Sequence, residues 1–405
     1  MQIEDATRAA GLERLNAFIP RMGRQYAAGR NFDPGPDRHQ DVSGLSPYLR
    51  RRLVLEEEAV DAALAAHGPG AAEKFLQEVL WRGYFKGWLE HRPGIWTSYR
   101  DGVRRDLQGL EHDRSLRQAV GLAEAGQSGI ACFDAWAREL VETGYLHNHA
   151  RMWFASIWIF TLRLPWRLGA DFFYRHLLDG DPASNTLSWR WVAGLHTRGK
   201  FYEAKAWNIA KYTGQRFTPS DRDLAVVTEG LERSEPSGLP PVSPLRAPRA
   251  PEPGVPSLLL LTEDDCCPED FQPGTLDLRA TLALTASHLR SPELVSDKVK
   301  AFEAAALRDA AARLSMSCEI RQAGVENDLA DWAAQAGAKQ IVTGFVPCGP
   351  LRDWLEASRP ALDAQGIALC EWQRPWDKAV WPYATAGFFK VKKAMPRILT
   401  QRQLI

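Results

Sequence analysis

The sequence has no excess of either charge: Lys and Arg total 50 of its 405 residues, and Asp and Glu also total 50. That excludes a globally basic nucleic-acid coat and leaves room only for a local basic patch. Long apolar runs are missing too. The longest, Met152 to Leu162, is too short to span a bilayer and is closed by Arg163. The N-terminal stretch MQIEDATRAAGL carries acids and no apolar core, so no secretory signal is read there. Six cysteines without metal-type spacing argue for a reducing cytoplasm and against a disulfide framework. Tryptophan, by contrast, is abundant. Fifteen indoles require either a very large core or a task such as stacking or electron transfer.

The length implies two or three domains. From Pro236 to Pro256 eight prolines alternate with Ser, Gly and Arg, which no helix or central strand survives. This stretch reads as a stiff extended linker. Before it, EEEAVDAALAAHG, AAEKFLQEVLWRGYFKGWLEH, ACFDAWARELVETG and RMWFASIWIFTLRL all show helical apolar spacing, so residues 1–235 read as mainly α. After it, the short strand-like runs SLLLLTE, TLALTAS, SCEIRQAG, KQIVTGFV and IALCEWQ alternate with helix-like stretches. That order implies a parallel sheet with crossover helices over residues 257–375. Residues 376–405 form a basic, aromatic C-terminal tail expected to pack back as a helix. Charge divides in the same way. Leu146 to Arg216 carries ten Lys/Arg against four Asp/Glu, and Ser257 to Pro375 carries eleven against eighteen.

The chemistry concentrates between Thr143 and Trp191. Asp181-Pro182 is a helix start, with Asp as N-cap and Pro in the first turn. It sets Asn185 and Trp189 four residues apart on one helical face, with Trp191 following. On pattern alone this is a capped helix with two buried rings. Upstream, Glu78 and Trp81 stand three residues apart on another helix and can face one cavity.

This window resembles the flavin-binding domain of the photolyase/cryptochrome family. TGYLHNHARM and LLDGDPASNTLSWRW resemble two of that family's blocks, and Trp166 with Leu168-Gly169 matches the element between them. FLQEVLWRGYF resembles the block that carries the E-L-x-W-R pattern, and SGLSPYL resembles the T-S-R-L-S-P-Y-L block. Tyr26 and Arg30 precede SGLSPYL as the family's Y-x-x-x-R does. The blocks occur in order across about 200 residues, far more specific together than any one alone.

The resemblance implies FAD as cofactor, held by Tyr26, Ser43, Leu45, Ser46, Arg82, Arg151, Asp179, Asp181 and Asn185. In it Tyr26, Ser43 and Ser46 meet the FAD phosphates. Arg151 pairs with Asp179 beside the isoalloxazine ring, and Asp181 bonds flavin or ribose polar atoms. Asn185 faces flavin N5, where an amide oxygen favours the reduced flavin and the repair branch. Glu78, Trp81, Asn148, Met152 and Trp191 imply a pocket for a flipped-out cyclobutane pyrimidine dimer in UV-damaged DNA. Trp189 and Trp166 match two members of an electron-hopping chain. The third is missing from its usual place, and Trp153, Trp158 and Trp207 are the substitutes considered. Splitting the dimer needs one electron in and one electron back, with no metal. Asn148 stands where branches acting on the other main photoproduct carry a second histidine. His149 stands where relatives often have Arg for a DNA phosphate, which points toward weaker duplex affinity and toward single-stranded DNA.

The chain departs from the family in order: its flavin-like domain precedes the α/β segment, as in short bacterial photolyase-like proteins. That segment is expected to be flavodoxin-like or Rossmann-like. Its first strand lacks the family's W-F-R-x-D-L-R signature and ends in the acids Glu263, Asp264 and Asp265, which speaks against a second, antenna chromophore. An iron–sulfur cluster needs four cysteines, and only Cys132 lies in the helical half. Adjacent Cys266 and Cys267 read as buried or idle thiols. Lys200, Lys205 and Lys211, and Arg50-Arg51-Arg52, read as nucleic-acid backbone contacts or as solvated charge. The competing function is a cryptochrome-like blue-light sensor without repair activity.

Overall fold

A computed structural model describes residues 5–36 and 38–405 of the chain. The four N-terminal residues, which belong both to the stretch in which no secretory signal is read and to the segment expected to be helical, lie outside the described residues. The N-terminal part folds as α1 (Arg8–Phe18), α2 (Arg24–Gly29), α3 (Ser46–Arg50), α4 (Glu56–Glu90), α5 (Pro93–His112), α6 (Arg114–Glu124) and α7 (Ala131–Thr143). It continues through α8 (Asn148–Ser156), α9 (Trp166–His176), α10 (Pro182–Val192) and α11 (Ala206–Tyr212). Two of the predicted helical stretches merge in α4, which kinks where Gly68 adopts a φ of 69° just before Pro69. Helix α8 runs on into a π-helical turn over Ile157–Thr161. Asp181 caps α10 as its sequence implied, its Oδ1 accepting the Ser184 N–H at 2.7 Å.

No helix or strand interrupts residues 235–255. The prolines leave that stretch extended, and backbone bonds strap it down: Ser243 N–H donates to His91 O, and Glu371 N–H to Arg249 O, both at 2.8 Å.

Five strands follow: β1 (Pro256–Thr262), β2 (Asp277–Thr285), β3 (Glu319–Gln322), β4 (Gln340–Gly344) and β5 (Ala368–Trp372). All pairings are parallel and the order is β3-β2-β1-β4-β5. Of the two α/β orders expected, this is the Rossmann-type arrangement. Helices α12 (Asp297–Arg313), α13 (Asp328–Gln335) and α14 (Pro350–Ala364) make three of the crossovers. The β1–β2 crossover has only short 3-10 turns.

Strand periodicity decides what each face meets. Leu258 and Leu260 join Leu282, Leu284, Ile341 and the apolar sides of α13 and α14. Leu259 and Leu261 point the other way, into a core continuous with that of the helical domain. The sheet is therefore covered on one face by its own helices and on the other by α12 and the N-terminal lobe. The C-terminal helices α15 (Pro375–Val380) and α16 (Phe389–Gln401) return to α4. Trp381 fits because Gly87 lacks a side chain: a Cβ there would lie 2.8 Å from the indole.

The arginine triplet corrects one expectation. Arg50, Arg51 and Arg52 are 2%, 0% and 2% exposed, so none can reach a nucleic-acid backbone. They face the acidic crossover loop instead. Arg50 Nη1 meets Asp264 Oδ1 at 2.8 Å, and Arg51 Nη2 meets Glu263 Oε2 at 3.0 Å. Arg52 Nη2 meets Asp377 Oδ2 at 2.6 Å. Asp265 is clamped by Arg374 at 2.6 Å, and Arg290 completes the cage around Glu263 at 3.0 Å. The acids predicted for an antenna-domain loop thus fill the crevice at the carboxyl ends of β1 and β4. A Cβ on Gly344 there would sit 2.7 Å from Asp265. Cys266 and Cys267 are buried in this loop, and burial raises both thiols, Cys267 to about 12.

Removing one partner of a buried ion cluster strands the others, at about 3–5 kcal/mol. Glu263→Ala, which leaves Arg51 and Arg290 facing each other, should lose that much stability in urea unfolding of the full chain. A loss below about 1 kcal/mol would mean the cluster is solvated.

Candidate functional site

Helices α3, α4, α8, α9 and α10 bring most of the sequence-predicted residues to one region. Arg151 Nη2 donates to Asp179 Oδ2 at 3.0 Å, the pair expected from the sequence. Arg82, projecting from α4, reaches the Ser46 carbonyl at 3.5 Å. Ser43 Oγ accepts the Leu45 N–H at 3.3 Å and shapes the turn into α3, with Leu45 fully buried. Tyr26 is buried edge-to-face against Phe75, 5.3 Å between ring centroids. The loop before α3 is pinned by Asp33, which accepts from Arg216 at 2.7 Å and from the Trp136 indole at 3.2 Å.

Asp181 sits in the most strongly polarised spot. Its Oδ1 is used by the cap, and its Oδ2 lies 3.7 Å from Arg50 and 3.8 Å from Lys86. Burial alone would raise this carboxyl, but Lys86, Arg50 and Arg82 outweigh it and hold the group down at about 2. Asp179 is likewise lowered, burial being overcome by Arg151 and Ser46. Lys86 is lowered by its own burial against the pull of Asp181. Sequence reasoning missed Lys86. Its signal was present: it continues the i, i+4 row of charged positions Glu78, Arg82, Lys86 and Glu90 on α4.

Asn185 Nδ2 donates to the Ala170 carbonyl at 2.7 Å, which commits the amide NH2 and turns Oδ1 outward as an acceptor. Three buried polar atoms in this region have no hydrogen-bond partner: Arg82 Nη1, Asp179 Oδ1 and Asp181 Oδ2. A guanidinium donor and two carboxylate acceptors left open beside the Asn185 amide fit a group rich in N–H, carbonyl and hydroxyl functions, as FAD is.

Glu78, on α4, pairs with Arg30 Nη1 through Oε1 at 2.6 Å, leaving Oε2 unengaged by that bond. Burial raises the Glu78 carboxyl despite Arg30. The sequence reading used Arg30 only as a landmark. Asn148 opens α8 and is exposed, while Met152, one turn on, is half-buried. Trp191 packs against Tyr202 with centroids 5.6 Å apart. His149 turns inward: its Nδ1 lies 2.9 Å from the Asn31 carbonyl and its ring stacks on Trp153 at 4.1 Å. Burial lowers its pKa, so it is neutral and set away from any phosphate.

Trp81 brings the largest surprise. Phe388, just before α16, stacks flat on its indole, with centroids 3.8 Å apart and an interplanar angle of 11°. No local pattern links a residue of the C-terminal tail to α4; the pairing depends on how the chain returns. The remaining indoles are separate from this wall. Trp189 is buried at the α9–α10 contact, where a Cβ on Gly169 would come within 2.4 Å of it. Trp166 is buried one turn before Gly169. A cavity of about 500 Å³ lined by Phe271, Trp372, Arg374 and Lys378 contains none of these residues.

Among the described residues no group of three His, Cys, Asp or Glu side chains is arranged to hold a metal ion, and no helix is long and apolar enough to cross a membrane.

Residues 75–220 match the family model of the FAD binding domain of DNA photolyase. The chain is 37% identical over 203 residues to a deoxyribodipyrimidine photo-lyase of Streptomyces griseus, covering 46% of this chain and 42% of that one. It is 34% identical over 192 residues to one of Synechococcus, covering 45% and 38%. It is 32% identical over 231 residues to one of Salmonella typhimurium, covering 55% and 45%. These matches span less than half the length of the curated relatives. Among solved structures, a class III photolyase of Agrobacterium tumefaciens is 27% identical with a TM-score of 0.40, covering 51% of this chain and 43% of that one. A Synechocystis cryptochrome is 24% identical with a TM-score of 0.43, covering 52% and 44%. The family-model match and the curated relatives find the resemblance read from the sequence blocks independently. Residues 75–220 are of the photolyase FAD-binding kind, and FAD is the cofactor of that domain.

The depressed Asp181 value fixes the sign of a pH effect. Its folded value, about 2, lies below the ordinary 3.8, so its contribution is fully present above about pH 4 and is lost as pH falls through about 2. Stability measured by thermal unfolding should drop across that window. Asp181→Asn should fall less steeply there, and at neutral pH it should be less stable by about 3–5 kcal/mol, because Arg50 and Lys86 stay buried with one anion fewer.

Proposed function

We propose that this protein uses bound FAD and blue light to split cyclobutane pyrimidine dimers in DNA. The observation that carries the reading is the unsatisfied Arg82–Asp179–Asp181 cradle, with Glu78 one turn before Arg82 on α4, Asn148 one turn before Arg151 on α8, and Trp191 on the helix that Asp181 caps. The chemistry that bound FAD would supply is one electron lent to the dimer under light and then recovered, so the protein's work is to bind, orient and exclude water.

The chain's own residues suit that work. Burial raises the Glu78 carboxyl against the pull of Arg30, and its Oε2, free of that pair, can accept a hydrogen bond from a pyrimidine N–H edge. Arg30 fixes its rotamer through Oε1. Asn148 adds a donor–acceptor pair at the open end of α8, and Trp191, backed by Tyr202, offers an apolar wall for a flipped-out pyrimidine dimer. The Arg151–Asp179 pair and the Asn185 Oδ1 acceptor would hold the flavin ring and favour its reduced form. His149, tied inward, offers no phosphate contact, which favours single-stranded over duplex DNA.

A light-sensing role without repair is the second reading, and one observation favours it. Phe388 covers a face of Trp81 that a dimer would otherwise use.

The test is repair of a thymine-dimer oligonucleotide, single- and double-stranded, by the FAD-loaded, reduced full chain in blue light and in darkness. Light-dependent repair, greater on the single strand, is expected. A photoreducible yellow protein that repairs neither form would give the sensor reading precedence. Glu78→Ala should lower the repair yield roughly tenfold, the worth of one hydrogen bond to the substrate edge, with FAD content unchanged. Trp189→Phe should block photoreduction of oxidised flavin.

A further inference from the structure

Trp189 and Trp166 lead away from the flavin region, yet both are buried, so an electron path through them needs an exit. Trp158 meets Trp189 edge-to-face at 6.3 Å, but its indole N–H donates to the Pro165 carbonyl, which takes up no proton. The Trp153 indole N–H is likewise spent on the Asn208 amide oxygen. Trp207 is 61% exposed, and among the described residues no ring contact joins it to Trp189 or Trp166.

A different line of rings continues from Trp166. Tyr99 lies 5.9 Å from Trp166, and Trp96 lies 5.5 Å from Tyr99, centroid to centroid. Neither Trp166 Nε1 nor the Tyr99 hydroxyl has a hydrogen-bond partner. A positive hole on either ring therefore has no base to take its proton. Trp96 is itself only 3% exposed and differs in its partner: its Nε1–H donates to Asp353 Oδ2 at 2.8 Å, and through that carboxylate the path reaches solvent. That carboxylate belongs to α14 of the α/β part and is 35% exposed, and the same Oδ2 also accepts from Arg100 Nη1 at 3.0 Å.

We propose that Trp96 is the terminal electron donor of this chain, that Tyr99 bridges it to Trp166, and that Asp353 is its proton acceptor. The inference rests on the light-driven flavin reading above. One electron leaves Trp96 for photoexcited oxidised flavin by way of Tyr99, Trp166 and Trp189. The indole radical cation is acidic, so its N–H bond breaks and the proton passes to Asp353, which keeps the hole from returning. An external thiol then gives one electron to the Trp96 radical, and the proton goes back to nitrogen. The α/β segment would thus complete the electron path of the helical one.

The experiment is transient absorption of the FAD-loaded, oxidised full chain under a blue flash with added thiol, read for the deprotonated indole radical and for flavin reduction. Trp96→Phe should lose the long-lived radical and the photoreduction while keeping its FAD content. Asp353→Asn, a surface change that poses little folding risk, should still form a radical, but one that stays protonated and decays sooner. Trp158→Phe should keep both signals. Survival of the long-lived radical in Trp96→Phe, or unchanged deprotonation in Asp353→Asn, would overturn the proposal. The Trp189→Phe variant separates the two levels. If it is blocked while Trp96→Phe is not, only the exit is wrong; if both photoreduce normally, the flavin electron reading fails with it.

Discussion

Three consecutive arginines, Arg50 to Arg52, stand at the centre of this molecule, and the rest of the structure hangs on where their charges go. Buried guanidinium groups are tolerated only when paired and hydrogen-bonded. Here the pairing comes from the loop after β1, more than two hundred residues later in the chain. That loop can reach them because the β1–β2 crossover has no helix of its own. The same cage lends Arg50 to Asp181, so the ion cluster joining the two lobes also polarises the flavin cradle.

This coupling joins the α/β unit to the helical domain that precedes it in the chain. An α/β unit attached behind the helical domain must still present one sheet face to it, and Leu259 and Leu261 do so by alternation with Leu258 and Leu260. Once docked, the α/β unit has spent the carboxyl-end crevice of its sheet on the arginines. In Rossmann-type sheets that crevice is the usual ligand position. Here it holds Glu263, Asp264 and Asp265.

Much of the site was legible because its residues are close in sequence and their spacing is set by single helices. Asp181 as a cap, Asn185 and Trp189 on one face, and the Arg151–Asp179 pair all follow from local geometry plus family blocks. Glu78 was legible, but its partner Arg30 was not, because their pairing crosses from α2 to α4. The Arg50 to Arg52 run was misjudged for a related reason. A run of like charge is normally solvated, and only the folded chain reveals acids waiting opposite it.

The sequence by itself determined the helical and strand segments, the parallel sheet and the flavin-type motif, since periodicity, caps and short-range spacing act within a few residues. Tertiary structure alone decided that Phe388 lies on Trp81, that Asp353 lies on Trp96 and that Glu263 lies among the arginines. Each of these joins residues hundreds of positions apart. Their contact depends on how whole elements dock, and apolar burial drives that docking without encoding any one pair.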